Sequence, residues 1–331
     1  MSAMQAIVID DQQQLQWQSV PAPERPGPGE VRIQVVASAV NRADLMQRKG
    51  VYPPPPGASE ILGLECSGLI DAVGEGVTQW QVGDRVCALL SGGGYAEQVV
   101  CPEGHVLPVP EEVDLIDAAG LPEVFATAWL NIWQEAAAQP GESVLLHAGA
   151  SGVGTAALQL CRYMGNPTFV TAGSADKIRL CQTYGAEGGH DRHEGRFTEA
   201  VKAWRPAGVD IILDPVGGDY FPQNLEVLAQ DGRLVMIAIL GGRQAEIDMG
   251  RLVFKRLRLV GSTLRSRSDA DKTALISDLR QRAWPGLSHG DLMPVIHQRY
   301  PIAAADQAHQ ALAENDTVGK IILTVADSTD T

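Results

Sequence analysis

Between Val144 and Gly165 the chain reads VLLHAGASGVGTAALQLCRYMG. An apolar run, Val144-Leu145-Leu146, leads into a turn of small residues from Gly149 to Gly154. A helix-like segment follows, with Val153, Ala156, Ala157 and Leu160 at helical spacing. Strand, glycine turn and helix in this order form the phosphate cradle of a dinucleotide-binding fold. Amides at a helix start have no partner within the helix and carry partial positive charge, so a pyrophosphate can sit there where side chains leave room. The usual pattern is G-x-G-x-x-G; here Ser151 stands at the middle glycine position. A glycine turn alone can also mean tight strand–helix packing, and the surroundings decide between the two.

A chain of 331 residues has room for about two domains. The net charge of −14 opposes nucleic acid or an anionic membrane as a general partner. No apolar stretch reaches the ~18 residues of a membrane helix, and the start, MSAMQAIVIDD, has no basic region followed by an apolar run. The five cysteines (Cys66, Cys87, Cys101, Cys161 and Cys181) include no C-x-x-C pair. This fits reduced thiols in a cytoplasmic protein better than a disulfide frame or a zinc lobe.

The first third reads as β structure. Met4–Ile9, Leu15–Val20, Val31–Val40, Cys66–Val73, Arg85–Leu90 and Ala96–Val100 are candidate strands, with a short helix at Asn41–Lys49 and an extended loop at Pro53–Pro56. Many short strands with Gly and Pro turns predict a barrel-like β domain. Near Leu121 the rhythm changes to alternating strands (Ser143–His147, Thr168–Thr171, Asp210–Leu213, Arg233–Ile239, Leu257–Val260) and helices (Gly154–Met164, Asp176–Tyr184, Phe221–Leu228). Alternation predicts a parallel sheet with helices on both faces. The tail after Ser262 is short, with strands at Val295–Tyr300 and Lys320–Val325, and is expected to pack back on the first domain. The division is thus residues 1–122 with 264–331, and residues 123–263.

In NAD enzymes of this type an acidic residue stands about 20 residues past the glycine turn and holds the ribose hydroxyls. Here the strand Thr168–Thr171 ends in Ala172-Gly173-Ser174, without a carboxylate; Asp176 follows soon after but would lie in the next helix, where a first-turn acid is an ordinary dipole partner, and Lys177 comes after it. A hydroxyl and a cation at that place suit a 2′-phosphate, and favour NADPH over NADH. The plainer reading of Lys177 is a solvated helix residue.

These residues resemble a known family. The chain looks like a zinc-free quinone oxidoreductase of the medium-chain dehydrogenase/reductase superfamily, most like its tumour-suppressor-inducible quinone reductase group. The similarity is carried by Asn41 to Arg48 (NRADLMQR), Tyr52 to Gly57 (YPPPPG), Leu62 to Glu65 (LGLE), Val82 to Val86 (VGDRV), Gly92 to Ala96 (GGGYA), His147 to Gly154, Thr171 to Ser174, Leu264 to Arg267 (LRSR) and Gly319-Lys320. It implies a GroES-like β domain and a Rossmann doubly wound parallel-sheet domain, with NADPH bound by Gly149, Ser151, Gly152, Val153 and Gly154 and the 2′-phosphate held by Gly173, Ser174 and Lys177. A family tyrosine aligns with Arg192, where an arginine could serve as a bidentate phosphate ligand or be only a surface loop residue; His190 and His193 nearby read as loop residues. Thr127, Val216, Ala238, Ile239 and Leu240 are expected near the nicotinamide, and Leu264, Arg265 and Ser266 look like the cofactor-closing segment.

Zinc-dependent members carry a Gly-His-Glu string; here it is Gly63-Leu64-Glu65, and leucine cannot ligate a metal. Without a metal, an unactivated carbonyl is poorly polarised, so the expected acceptor is one that already takes electrons well: a small quinone, with a conjugated enone or alkenal as the alternative. An NADPH-binding regulatory protein without turnover is the reading outside enzymes. By the resemblance, Asn41 and Tyr52 line the pocket and donate to a quinone oxygen; alone they read as a helix cap and a packed loop aromatic. Arg251, Lys255, Arg256 and Arg258 read as a solvated face or, by the resemblance, as part of a homodimer contact.

Overall fold

The computed structural model describes residues 2–325. The chain divides into unit 1, Met1–Ala126 with Arg265–Thr331, and unit 2, Thr127–Leu264.

Unit 1 opens with a hairpin of β1 (Ala3–Ile9) and β2 (Leu15–Pro21). Its sheet is built on β3 (Glu30–Val40), followed by helix α1 (Arg42–Arg48), then β4 (Glu65–Val73), β5 (Arg85–Leu89), β6 (Gln98–Pro102) and β7 (Val106–Pro108). Alternation along β3 buries Val31, Ile33 and Val35 against Ile70, Val86 and Val99, the half-buried pattern of an antiparallel sheet. Helix α2 (Pro122–Trp129) ends the first passage.

Unit 2 contains β8 (Val144–Leu146), α3 (Gly152–Met164), β9 (Thr168–Ala172), α4 (Ala175–Thr183), β10 (Ala186–Asp191), α5 (Thr198–Trp204), β11 (Val209–Asp214), α6 (Phe221–Val227), β12 (Leu228–Met236), α7 (Met249–Phe254) and β13 (Arg258–Gly261). The six strands are all parallel, in the order β10-β9-β8-β11-β12-β13. Numbered from the first strand of the unit, that is 3-2-1-4-5-6, the doubly wound order of a Rossmann sheet. Phe169, Phe197, Ile212, Leu225 and Leu234 fill its core.

The chain then returns to unit 1 through α8 (Asp269–Arg282), α9 (Pro285–Ser288), β14 (Ile296–Pro301), α10 (Ala305–Ala313) and β15 (Lys320–Thr324). β15 pairs antiparallel with β3, Ile321 opposite Val40 and Leu323 opposite Ser38. The tail therefore completes the sheet order β14-β15-β3-β4-β5-β7, with β6 also on β3.

Three segments differ from the sequence reading. The strand expected at Ala96–Val100 lies at Gln98–Pro102, and that expected at Arg233–Ile239 ends at Met236, which leaves Ala238, Ile239 and Leu240 in the loop beyond β12. β10 has no alternating or β-branched run to announce it, and His190, expected in a loop, lies within it. Its glycines are tolerated because the neighbours leave no room: a Cβ on Gly188 would stand 2.8 Å from the Phe169 ring, and one on Gly189 2.6 Å from Ile178.

Candidate functional site

In unit 2 most of the candidate cofactor residues lie in the turns at the C-terminal ends of the parallel strands, where ligands bind in such sheets, whereas Thr127 lies in helix α2. Ser151 caps α3, its hydroxyl accepting the amide of Gly154 at 3.1 Å. The amides of Gly152 and Val153, at the first positions of α3, have no acceptor a turn earlier and are the ones an anion can reach. A side chain at Gly154 would put a Cβ 2.4 Å from the carbonyl oxygen of Gly149 and 2.5 Å from that of Ala148, so the turn closes only with glycine there.

One strand over, Ser174 caps α4 by accepting the amide of Lys177 at 3.3 Å. The register sets Asp191 of β10 opposite Ala172 of β9, which brings the next residues, Arg192 and Gly173, side by side. The Arg192 guanidinium nitrogens lie 3.6 Å from where a Gly173 Cβ would be. Nothing in the sequence marks β10, so Arg192 is undecided from residue order alone; the pairing of β10 with β9 is what delivers it to this strand end, together with Gly173, Ser174 and Lys177.

Beneath these turns runs a buried polar chain. Asn224 donates its Nδ2 to Asp214 Oδ2 at 2.9 Å, which leaves its Oδ1 to accept from His147 Nε2 at 2.7 Å; His147 Nδ1 then accepts from the Thr171 hydroxyl at 2.9 Å. Burial lowers the His147 pKa, in accord with this neutral tautomer. Asp214 Oδ1 accepts the amides of Val216 and Gly217 at 2.6 and 3.1 Å, fixing the turn after β11. In the next loop Ile239 and Leu240 are 52% and 59% exposed, an apolar surface beside the strand ends. Thr127 accepts Asn131 Nδ2 on its carbonyl at 2.7 Å.

In unit 1 the centre of the candidate site is a residue the sequence reading noted only as part of a motif. Lys320 Nζ donates to Glu65 Oε1 at 2.7 Å, Asn41 Oδ1 at 2.6 Å and the Val40 carbonyl at 2.9 Å. All three ammonium protons are thus used, as burial of a lysine requires. Gly319 makes the approach possible: its φ is +68° and a Cβ would lie 2.1 Å from the Val295 carbonyl oxygen. Asn41 also donates Nδ2 to Glu65 Oε1 at 2.8 Å, and Glu65 Oε2 accepts the amide of Glu123 at 2.8 Å. Asn41 is the N-cap position of α1, but its side-chain amide is engaged inside the protein, its oxygen by Lys320 and one N–H by Glu65.

Asp44 closes the next layer. It accepts the amides of Asn41 at 2.8 Å and Gly63 at 3.1 Å and the Tyr95 hydroxyl at 3.3 Å. The Tyr95 proton being given to Asp44, the Tyr95 oxygen accepts from His309 Nε2 at 3.2 Å. Burial pushes the Asp44 carboxyl up to about 6 and His309 down to about 4. Burial, with Glu65 adding to it, pushes the Glu123 carboxyl up to about 8. Tyr52 stands at the edge of this group, with the Arg265 guanidinium 5.6 Å from its ring centre; burial raises its phenol pKa. The Arg265 side chain is fixed by unit 1, donating to the Ser91 carbonyl at 2.9 Å and Gln47 Oε1 at 2.7 Å. Leu64 is 1% exposed and packed in the interior. Among the described residues no group of three or more His, Cys, Asp or Glu gathers that could hold a metal ion.

The Alcohol dehydrogenase GroES-like domain model matches residues 27–111, and the Zinc-binding dehydrogenase model matches residues 152–278. The chain is similar to the quinone oxidoreductase of Rattus norvegicus, 31% identical across 92% of this chain and 91% of that protein. The chain belongs to the medium-chain dehydrogenase/reductase superfamily of oxidoreductases. It is also 31% identical to the synaptic vesicle membrane protein VAT-1 homolog of Rattus norvegicus, over 92% of this chain and 80% of that one. Solved structures give the same picture. An NAD-dependent alcohol dehydrogenase superposes with a TM-score of 0.83 at 31% identity, covering 98% of this chain and 100% of the other. A mycobacterial protein complexed with NADPH does so with 0.82 at 29%, covering 97% and 99%. Unit 1 is thus the GroES-like domain of this medium-chain dehydrogenase/reductase and unit 2 its Rossmann domain. No helix among the described residues is long and apolar enough to cross a membrane.

Sequence reasoning missed Lys320, Asp44 and Glu123 as members of the site. Lys320 lies far from Asn41 in the chain, and only the β3–β15 pairing joins them. The signal available was the glycine immediately before it.

Proposed function

We propose that this medium-chain dehydrogenase/reductase is an NADPH-dependent reductase of small quinones, acting without a metal. The cofactor preference is supported by one observation: the C-terminal end of β9 presents Gly173, Ser174 and Lys177 with the Arg192 guanidinium against it; the strand end itself carries no carboxylate where NAD enzymes place an acid on the ribose, and Asp176, in the first turn of α4, pairs with Arg179. The similarity to quinone oxidoreductase supports the acceptor.

The residues present fit such a cofactor. Gly149, Ser151, Gly152, Val153 and Gly154 would cradle the pyrophosphate, and Ser174, Lys177 and Arg192 the 2′-phosphate. Val216, Ala238, Ile239 and Leu240, with Thr127, would form the apolar wall beside the nicotinamide, and Leu264, Arg265 and Ser266 would close the segment. When bound, the nicotinamide supplies a hydride to a quinone carbonyl oxygen or ring carbon, and one proton from the protein or solvent completes the hydroquinone. Leu64 replaces the ligating histidine of zinc-dependent relatives with a side chain that offers no donor, so polarisation of the acceptor falls to hydrogen bonds. Tyr52, with a free phenol proton at the edge of the cluster, is the better placed donor. Asn41 is engaged by Lys320 and Glu65, and its Nδ2 also reaches the Ala39 carbonyl at 3.4 Å, so it mainly shapes the pocket.

The test is a steady-state comparison of NADPH and NADH with ortho- and para-quinones and with 2-alkenals, on the intact protein and on Lys177→Ala. Oxidation of NADPH by quinones, with NADPH preferred and that preference lost in Lys177→Ala, is the expected result. Turnover of alkenals alone reverses the substrate assignment in favour of an enone reductase. Tight NADPH binding with no turnover across the panel removes the enzymatic reading and leaves a regulatory one.

A further inference from the structure

Unit 1 contains a cavity of about 710 Å³ lined in part by Ser59, Ser91, Arg265 and Lys272 and, among its carboxylates, by Glu30 and Asp269, neither of which makes an ion pair with Arg265 or Lys272. Arg265 and Lys272 are 4% and 2% exposed. Ser91 joins them: its carbonyl accepts Arg265 Nε at 2.9 Å, and its hydroxyl accepts Lys272 Nζ at 2.6 Å. Arg265 Nη2 donates to Gln47 Oε1 at 2.7 Å, while Nη1 is buried with no hydrogen-bond partner. A guanidinium N–H left unmatched out of water is costly, and its presence in a native interior asks for an explanation.

The charge around it sharpens the point. Arg265 and Lys272 are close enough for each to feel the other's charge, and burial lowers both pKa values. The acids within reach, Asp44 and Glu123 for Arg265 and Asp269 and Glu123 for Lys272, act at longer range than an ion pair. The Glu123 carboxyl is pushed up to about 8 and so carries little charge near neutral pH. Two buried cations without a contacting carboxylate are an unusual feature in a chain of net charge −14. Buried charges are ordinarily paired, and the partner missing here is an anion.

We propose that this cavity is an oxyanion site, with Arg265 Nη1 and Lys272 Nζ as its charged donors and a small molecule bearing a carboxylate or phosphate as its occupant. The site is separate from the phosphate positions assigned to Ser174, Lys177 and Arg192, and it stands whether or not the quinone reading holds.

Titration calorimetry and thermal unfolding with inorganic phosphate and with benzoate, at an ionic strength held constant with sodium chloride, test it. The intact protein, Lys177→Ala, Lys272→Met and Arg265→Met are compared. The expected result is binding and a raised Tm for at least one anion beyond the chloride control, kept in Lys177→Ala and weakened tenfold or more in Lys272→Met and Arg265→Met. Phosphate alone or benzoate alone, on these terms, names the source. Where a variant fails to fold, a crystal of the intact protein soaked in selenate decides by anomalous scattering, with a peak between Arg265 and Lys272 expected. No effect beyond chloride, loss of binding in Lys177→Ala only, or anomalous peaks confined to unit 2 overturns the site. NADPH affinity is measured alongside, so that failure of the cofactor reading is seen separately.

Discussion

Lys320 Nζ stands 2.7 Å from Glu65 Oε1, with the two side chains 4% and 0% exposed. Removing one partner from such a pair leaves a charge stranded in a dry interior, which costs about 3–5 kcal/mol. Lys320→Met is therefore expected to lose about that much in urea unfolding. Lys320→Met with Glu65→Leu should recover a large part of it, because no charge is then left behind. Equal destabilisation in the single and double variants would show that the pair itself is not what holds this region.

Glu123 makes stability depend on pH in a window of its own. Its carboxyl titrates near 4.5 when free and is pushed up to about 8 in the fold. The folded chain then holds a proton that the unfolded chain has released, so this group's contribution falls as pH rises, and is lost by about pH 8. Asp44, pushed up to about 6, works in the same direction at lower pH, while His309, pushed down to about 4, works in the opposite one. Between pH 6.5 and 8 Glu123 is the one of the three still titrating. Glu123→Gln should remove up to about 1.4 kcal/mol per pH unit of slope in that range. Parallel stability curves for the two proteins would refute the assignment.

Gly154→Ala should weaken dinucleotide binding strongly. The added methyl would stand 2.4 Å from the Gly149 carbonyl oxygen, so the turn must open and the α3 amides move. Fluorescence titration with NADPH is expected to show at least a tenfold loss, and unchanged affinity would mean that the turn binds nothing.

Arg192→Ala should act on cofactor choice and little else. On the proposed reading its guanidinium holds the 2′-phosphate and not the ribose or nicotinamide, so NADPH affinity is expected to fall tenfold or more while NADH affinity stays within about twofold, a charge-assisted hydrogen bond being worth ~1.5–3 kcal/mol. Equal losses for both nucleotides would assign Arg192 a structural role.

β13 is an edge strand of the Rossmann sheet, and beside it in sequence Val253 and Phe254 are 65% and 82% exposed and Met249 58%. Exposed edges with apolar neighbours call for a cover, and we propose a second copy of the chain. Sedimentation should give a dimer for the intact protein and a monomer for Phe254→Glu; a monomer for the intact protein removes the proposal.

Much of this architecture could be read from residue order. The β8–turn–α3 segment is legible because its glycines and apolar spacing are local, and the lack of an acid at the end of β9 needs only the strand end and the helix start, which put Asp176 in α4. β10 was hidden because its sequence, Ala186-Glu187-Gly188-Gly189-His190-Asp191, is shaped by the Phe169 ring and Ile178 pressing on it, not by strand propensity. Arg192 remained undecided for the same reason. Asn41 was recognised, but its engagement by Lys320 and Glu65 depends on strand pairing between distant parts of the chain, which no local pattern encodes.

The pairing of β3 with β15 also sets an order of events during synthesis. Val40 and Lys320 are 280 residues apart in the chain, so Ala37–Val40 of β3 leave the ribosome long before β15, their partner strand, exists. The Rossmann unit is continuous in sequence and can fold while translation proceeds. The nascent GroES-like half waits with one edge of β3 open and an uncompensated carboxylate at Glu65 until β15 emerges to seal both.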